Sequence, residues 1–87
     1  MSINPNSPVP VYLQIADHIR GAVAAGVYRP GEAIPSVRTL ALDLTVNPNT
    51  VQRAFEELER EGLIEVRKGL GMFVAKGGVI AALAQSE

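Results

Sequence analysis

The 87-residue chain has no cysteine, no tryptophan and a single histidine, His18. Without thiols there is neither a disulfide framework nor a thiolate metal centre, and one imidazole falls short of the nitrogen donors that zinc requires, so no metal is expected. No apolar run approaches the roughly 20 residues that cross a bilayer. The segment Met1-Ser2-Ile3-Asn4-Pro5-Asn6 has neither the basic nor the apolar part of a signal peptide, so a cytoplasmic protein without a membrane partner is expected. Catalytic equipment is also scarce. Ser36 has no base beside it in sequence and reads as a helix cap. The acids Glu56, Glu57, Glu59 and Glu61 read as a solvated helix end. Gly69-Leu70-Gly71 resembles a phosphate loop only superficially, because such loops join a strand to a helix and this one lies between two predicted strands. Neither a cofactor nor an enzymatic activity is expected.

A chain of this length holds one small domain with one core, burying about 60–65% of the surface its unfolded form exposes. Its net charge of −1 and pI near 5.8 lack the basic excess common in nucleic-acid binders. Distribution qualifies the total. Five of the nine acids, Glu56, Glu57, Glu59, Glu61 and Glu65, are crowded together, whereas Arg38, Arg53, Arg67 and Lys68 fall near the starts or tips of predicted elements. If these cations converge, an acidic molecule can carry a locally positive face.

Residues 1–8, with Asn4-Pro5 and Ser7-Pro8, predict an extended N-terminal arm. Pro10 then opens a helix in which Tyr12, Ile15, Ala16, Ile19, Ala22 and Val23 keep a 3.6-residue period until Gly26. Pro30-Gly31 suits the centre of a type II turn. Ser36 caps a second helix, with Val37, Leu40, Ala41 and Leu44 on one stripe and an end near Asp43. A third helix starts after Asn47, an N-cap, with Pro48 at the first helical position and Gly62 beyond the far end. Its apolar stripe is Val51, Ala54, Phe55 and Leu58, which leaves Asn49, Gln52, Arg53, Glu56 and Arg60 outward. The short turn between these helices has helix-turn-helix spacing but no glycine, and Leu44 and Val46 are expected to fill the angle.

Beyond Gly62, Leu63-Ile64-Glu65-Val66-Arg67 alternates apolar and charged residues, Lys68-Gly69-Leu70-Gly71 supplies a turn, and Met72-Phe73-Val74-Ala75 forms the return strand. The predicted fold is α+β and mainly α: a winged helix-turn-helix of three helices and a two-stranded β-hairpin wing. Val79–Ala84 allows a short C-terminal helix, which is too short to persist without a packing partner.

In order and spacing these segments resemble the N-terminal DNA-binding domain of the GntR family of bacterial transcription regulators. The resemblance rests on Val9–Ile15, Gly26 with Pro30-Gly31, Ile34–Ala41, Asn47–Val51, Glu57–Ile64 and Gly69–Val74, and it covers roughly residues 9–75. The Asn47-Pro48-Asn49-Thr50 opening is similar to the YtrA-like subgroup, which implies a compact homodimeric repressor. The resemblance assigns Arg38, Asn47, Asn49, Thr50, Gln52 and Arg53 to DNA contact, with Gly69 and Gly71 shaping a wing tip that approaches the minor groove. The sequence departs from the family pattern at Pro48, where many members carry arginine, and at Leu70 and Met72, where polar or small hydroxyl residues are commoner.

The residues themselves support several of these roles and leave alternatives open. An outward guanidinium one turn after Asn49 suits a guanine edge or a phosphate; its alternative is a surface ion pair of Arg53 with Glu56 or Glu57. Arg38 lies in a first helical turn, where the helix dipole disfavours a cation, which suggests an external anion. Asn47 can be cap, contact or both. Arg67 and Lys68 near the wing tip suit phosphate. The expected organisation is an arm over residues 1–8, a winged helix-turn-helix over 9–76, and over 77–87 a linker with the start of a dimerisation helix. The expected partner is double-stranded DNA, read by a homodimer on a palindrome. The rivals are a winged helix that binds protein, and a module attached to an aminotransferase-like domain outside these residues.

Overall fold

The computed structural model describes residues 3–84. The elements are α1 (Val11–Ala24), α2 (Val37–Leu44), α3 (Pro48–Arg60), the antiparallel strands β1 (Ile64–Arg67) and β2 (Gly71–Val74), and α4 (Gly78–Ala84). The three larger helices end in one hydrogen-bonding pattern, in which a residue with positive φ lets two backbone N–H groups satisfy carbonyls of the last turn. Gly26 (φ 80°) closes α1, with Val27 N donating to the Ala22 carbonyl at 2.9 Å. Gly62 (φ 78°) closes α3, with Leu63 N donating to the Leu58 carbonyl at 3.0 Å. The same place in α2 is taken by Thr45 (φ 56°), the single non-glycine residue with positive φ among those described. The turn that sequence left without a glycine is thus made by a threonine in a conformation that L-residues avoid.

The apolar stripes meet as expected. Ile15, Ile19 and Val23 of α1, Leu40 and Ala41 of α2, and Val51, Phe55 and Leu58 of α3 are buried together with Leu63, Ile64 and Val74 of the hairpin region. Phe55 is 1% exposed, and burying a side chain of this kind contributes about 1.5–3 kcal/mol. Leu44 and Val46 pack partly buried against this core beside the turn. A bidentate ion pair joins the outer edges of α1 and α3: Arg20 Nε and Nη2 donate to Glu61 Oε1 and Oε2 at 3.0 and 2.7 Å, and Arg20 also pairs with Asp17. Hydrogen bonding to Glu61 raises the Arg20 guanidinium above its ordinary value, against the opposing effect of burial. Glu61 is therefore not part of a solvated helix end as its sequence neighbours suggested; α1 supplies a cation that only the folded chain brings near.

In the hairpin, Ile64 pairs with Val74 and Arg67 with Gly71. Alternation places Ile64 and Val74 in the core, with Glu65, Arg67 and Phe73 on the other face. The free edge of β2 is covered by the segment after α1. Glu32 N donates to the Arg29 carbonyl at 2.9 Å around Gly31 (φ 85°), as the Pro30-Gly31 turn requires. Val74 N then donates to the Glu32 carbonyl at 2.9 Å, and Ile34 N to the Met72 carbonyl at 3.0 Å. The wing base is thus three segments wide, which no local pattern announced.

Two further differences concern the ends. Within the arm expected to be extended, residues 5–8 turn instead, with Ser7 N donating to the Asn4 carbonyl at 3.2 Å. The Gln14 amide accounts for this: Oε1 accepts from Asn4 N at 2.8 Å, while Nε2 donates to the Asn4 and Val9 carbonyls at 2.8 and 2.9 Å. A primary amide offers the donor and acceptor pair of a peptide unit, so one side chain holds the segment closed. Met1 and Ser2 of that arm lie outside the described residues. At the other end, α4 packs on α1 with Ala82 fully buried. Gly78 fits so closely that an added Cβ would stand 2.8 Å from the Leu63 carbonyl oxygen and from Val74 Cγ1. Ile80 and Leu83 face outward, 76% and 57% exposed. Residues 85–87 of the expected linker and helix lie outside the described residues.

Candidate nucleic-acid interface

The start of α3 is fixed by its cap. Asn47 is extended (φ −64°, ψ 133°), and its side-chain oxygen accepts from Asn49 N at 2.8 Å, while Pro48 occupies the first turn without leaving a donor unsatisfied. With the apolar stripe held in the core, Asn49, Gln52 and Arg53 are exposed and Thr50 is half-buried. A well-anchored helix thereby presents two amides, a hydroxyl and a guanidinium.

Asn49, Thr50 and Arg53 line one open groove of ≈ 370 Å³, together with Val11 and Tyr12 from the first turn of α1. The Arg53 guanidinium carbon stands 4.0 Å from the centre of the Tyr12 ring, a cation–π stack. The alternative considered for Arg53, an ion pair on its own helix, is not adopted: Glu57 is taken by Arg60 at 2.6 Å, and Arg53 has no carboxylate in ion-pair range among the described residues.

Arg38 is exposed in the first turn of α2. Ser36 caps that turn, accepting from Thr39 N at 3.1 Å and donating to Thr39 Oγ1 at 2.9 Å. The helix dipole there repels a cation, and no acid among the described residues pairs with Arg38. At the wing, Leu70 N donates to the Arg67 carbonyl at 2.8 Å, with Gly69 at φ 78° and Gly71 at φ 114° supplying the positive dihedrals of the tip. Arg67 and Lys68, paired in sequence, behave differently. Arg67 lies over the Phe73 ring at 4.4 Å and 3.6 Å from Glu65, while Lys68 is exposed and unpaired among the described residues.

The acidic total therefore hides an uneven distribution. Of eight cations, Arg20, Arg60 and Arg67 are paired with carboxylates, leaving Arg29, Arg38, Arg53, Lys68 and Lys76 without an ion-pair partner among the described residues. Asn49, Thr50 and Arg53 are brought together, and Asn47 holds their turn; Gln52 is exposed on the same helix, and Arg38 and the wing residues stand outside the groove. Sequence reasoning missed Tyr12 as part of this site. Periodicity put it on the core stripe of α1, and it is half-buried there; only the packing of α1 on α3 reveals that its free face meets Arg53.

The family described as "Bacterial regulatory proteins, gntR family" matches residues 11–74. The HTH-type transcriptional repressor YtrA of Bacillus subtilis is 42% identical over 76 residues, covering 87% of this chain and 58% of that protein. The chain thus spans a little over half the length of this curated relative. The structure of YtrA from Sulfolobus acidocaldarius, a GntR-family transcription factor, is similar with a TM-score of 0.81 and 42% identity, covering 85% of this chain and 78% of that one. The DNA-binding domain of AraR in complex with operator ORX1 is similar with a TM-score of 0.77 and 28% identity, covering 86% of this chain and 93% of that one.

Proposed function

Because the chain belongs to the gntR family of bacterial regulatory proteins and carries its winged-helix DNA-binding domain, we propose that it is a sequence-specific repressor that reads a palindromic operator as a homodimer. The reading assigns residues 9–76 to DNA binding, with the segment before them as an arm and 77–87 as a linker with the start of a dimerisation helix. The observation that carries it is the first two turns of α3, where a capped helix presents Asn49, Thr50, Gln52 and Arg53 and no carboxylate among the described residues pairs with the guanidinium. In a major groove, Asn49 or Gln52 would pair with the N6 and N7 of adenine and Arg53 with the O6 and N7 of guanine. Arg38 and Lys68 would take phosphates on either side, with Gly69 and Gly71 letting the wing backbone approach the minor groove. Arg67 contributes there only by leaving Glu65 for a phosphate. Asn47 serves first as the cap that aims the helix.

Magnitude favours two copies. About three phosphate contacts per chain give a salt slope near −3, which is weak for one domain and roughly doubles on a two-fold site. The exposed Ile80 and Leu83 of α4 support a seam between copies at that end, and the name of the Bacillus relative supports repression. Selection of bound duplexes from a random pool, with sedimentation to count chains per duplex, tests the reading. A palindrome with half-sites about one helical turn apart and two chains per site is expected. Arg38→Ala should lower the salt slope by about 1 across all duplexes, and Arg53→Ala should relax one base pair. Absence of enrichment over random DNA, or binding indifferent to both substitutions, would refute it.

A further inference from the structure

We propose that Tyr12 is a positioning residue for base readout: its ring holds the Arg53 guanidinium as a pre-set fork that discriminates a guanine edge, and does not leave it free to roam onto phosphate. This rests on the assignment of Arg53 to DNA contact above. Three observations carry it. The guanidinium carbon lies 4.0 Å over the ring centre. Tyr12 is half-buried and packs against the core, so the platform belongs to the rigid body of the domain. The same two residues line one groove with Asn49 and Thr50, so the stacked cation sits among the side chains that open α3.

The donors of a guanidinium lie in its plane and its faces carry none. Stacking one face on an aromatic ring therefore uses no hydrogen-bonding capacity and leaves the planar fork directed outward along its edge. A free arginine side chain samples many rotamers, most of which reach a sugar or phosphate as easily as a base. Restricting it before DNA arrives removes an ordering cost from the complex that needs the fork, and offers nothing to a complex that needs only a positive charge. With Glu57 occupied by Arg60 at 2.6 Å, no carboxylate on the described residues competes for Arg53. The ring should accordingly act on discrimination more than on affinity for DNA in general. A cation–π contact at an exposed site corresponds to about a two- to fivefold change in an equilibrium constant.

The test compares Tyr12→Phe, Tyr12→Leu, Arg53→Lys and Arg53→Ala in the 87-residue chain. Each is titrated with the duplex recovered by selection, with duplexes altered at single base pairs, and with an unrelated duplex over a range of salt. Tyr12→Phe keeps the ring and should stay within twofold of the parent. Tyr12→Leu keeps apolar bulk but loses the platform; it should cut discrimination at one base pair about two- to fivefold with an unchanged salt slope. Arg53→Lys keeps the charge without the planar fork, and should lose discrimination at that same pair. Thermal unfolding of each variant fixes the folded fraction used in every titration. If Tyr12→Leu weakens all duplexes equally, or leaves discrimination intact while Arg53→Ala still abolishes it, the positioning role is overturned and the contact survives. If Arg53→Ala changes nothing, the contact itself fails and the positioning role with it.

Discussion

Replacing Thr45 with glycine should stabilise this domain, although it deletes side-chain atoms from the turn of the helix-turn-helix. Thr45 sits at φ 56° and ψ 50°, in the left-handed region. That region costs an L-residue roughly 1–2 kcal/mol, and a β-branched side chain fits it poorly. Glycine removes the cost but has more freedom in the unfolded chain, which returns roughly 0.5–1 kcal/mol. Little packing is at stake because the side chain is exposed. The two closing hydrogen bonds, Thr45 N to the Leu42 carbonyl at 3.3 Å and Val46 N to the Ala41 carbonyl at 3.0 Å, use only backbone. The net expectation is about 0.5–1 kcal/mol of added stability, or about 2–8 °C in Tm for a domain of this size. Urea and thermal unfolding of Thr45→Gly, with Thr45→Val as a control that keeps the same strain, measure it. Glycine should raise both midpoints, valine should leave them nearly unchanged, and DNA affinity should follow neither. A lower midpoint for Thr45→Gly would mean that the threonine makes a contribution outweighing its dihedral, and the strain argument would fall.

The Arg20–Glu61 pair, with side chains 14% and 11% exposed, should cost about 2 kcal/mol when Arg20 is changed to alanine, because a largely buried carboxylate loses charge-assisted hydrogen bonds; a double-mutant cycle with Glu61→Gln isolates the coupling. Glu61 raises the guanidinium above its ordinary value, so the arginine's part of this stability is fully present below the unfolded-state value and is lost only at strongly alkaline pH. The penalty of Arg20→Ala should accordingly be the same at about pH 6 and pH 9. Gly78→Ala should destabilise by about 1–3 kcal/mol through overpacking and raise amide exchange in α4, since its Cβ would press on the Leu63 carbonyl and Val74. Gly77→Ala, with open space around it, should be neutral or mildly stabilising; equal effects at the two glycines would contradict the close approach. Asn47→Ala should lose about 1 kcal/mol as a missing cap. Asn47→Asp should keep stability yet weaken DNA binding, because the carboxylate still caps but faces phosphate; parallel melts and titrations separate the roles.

Local chemistry determined the elements of this chain. Cap residues Ser36 and Asn47, the proline and glycine stops, and the two periodicities marked three helices and a hairpin because each is set by neighbours a few residues apart. The residues at the start of α3 were legible as outward-facing for the same reason: fixing Val51, Ala54, Phe55 and Leu58 inward leaves Asn49, Gln52 and Arg53 no other direction. Tertiary structure decided the pairings. Arg53 could have met an acid on its own helix, and it lies instead on Tyr12, 41 residues earlier in the chain. Glu61 looked like one of a solvated group of acids until α1 brought Arg20 to it, and the edge of β2 was closed by a segment that read only as a turn. Such contacts join residues far apart in the chain, so periodicity and capping carry no information about them. Sequence alone could name the side chains offered to a partner; which of them meet a distant part of the chain was decided by packing, as when Arg20 reaches Glu61, 41 residues away.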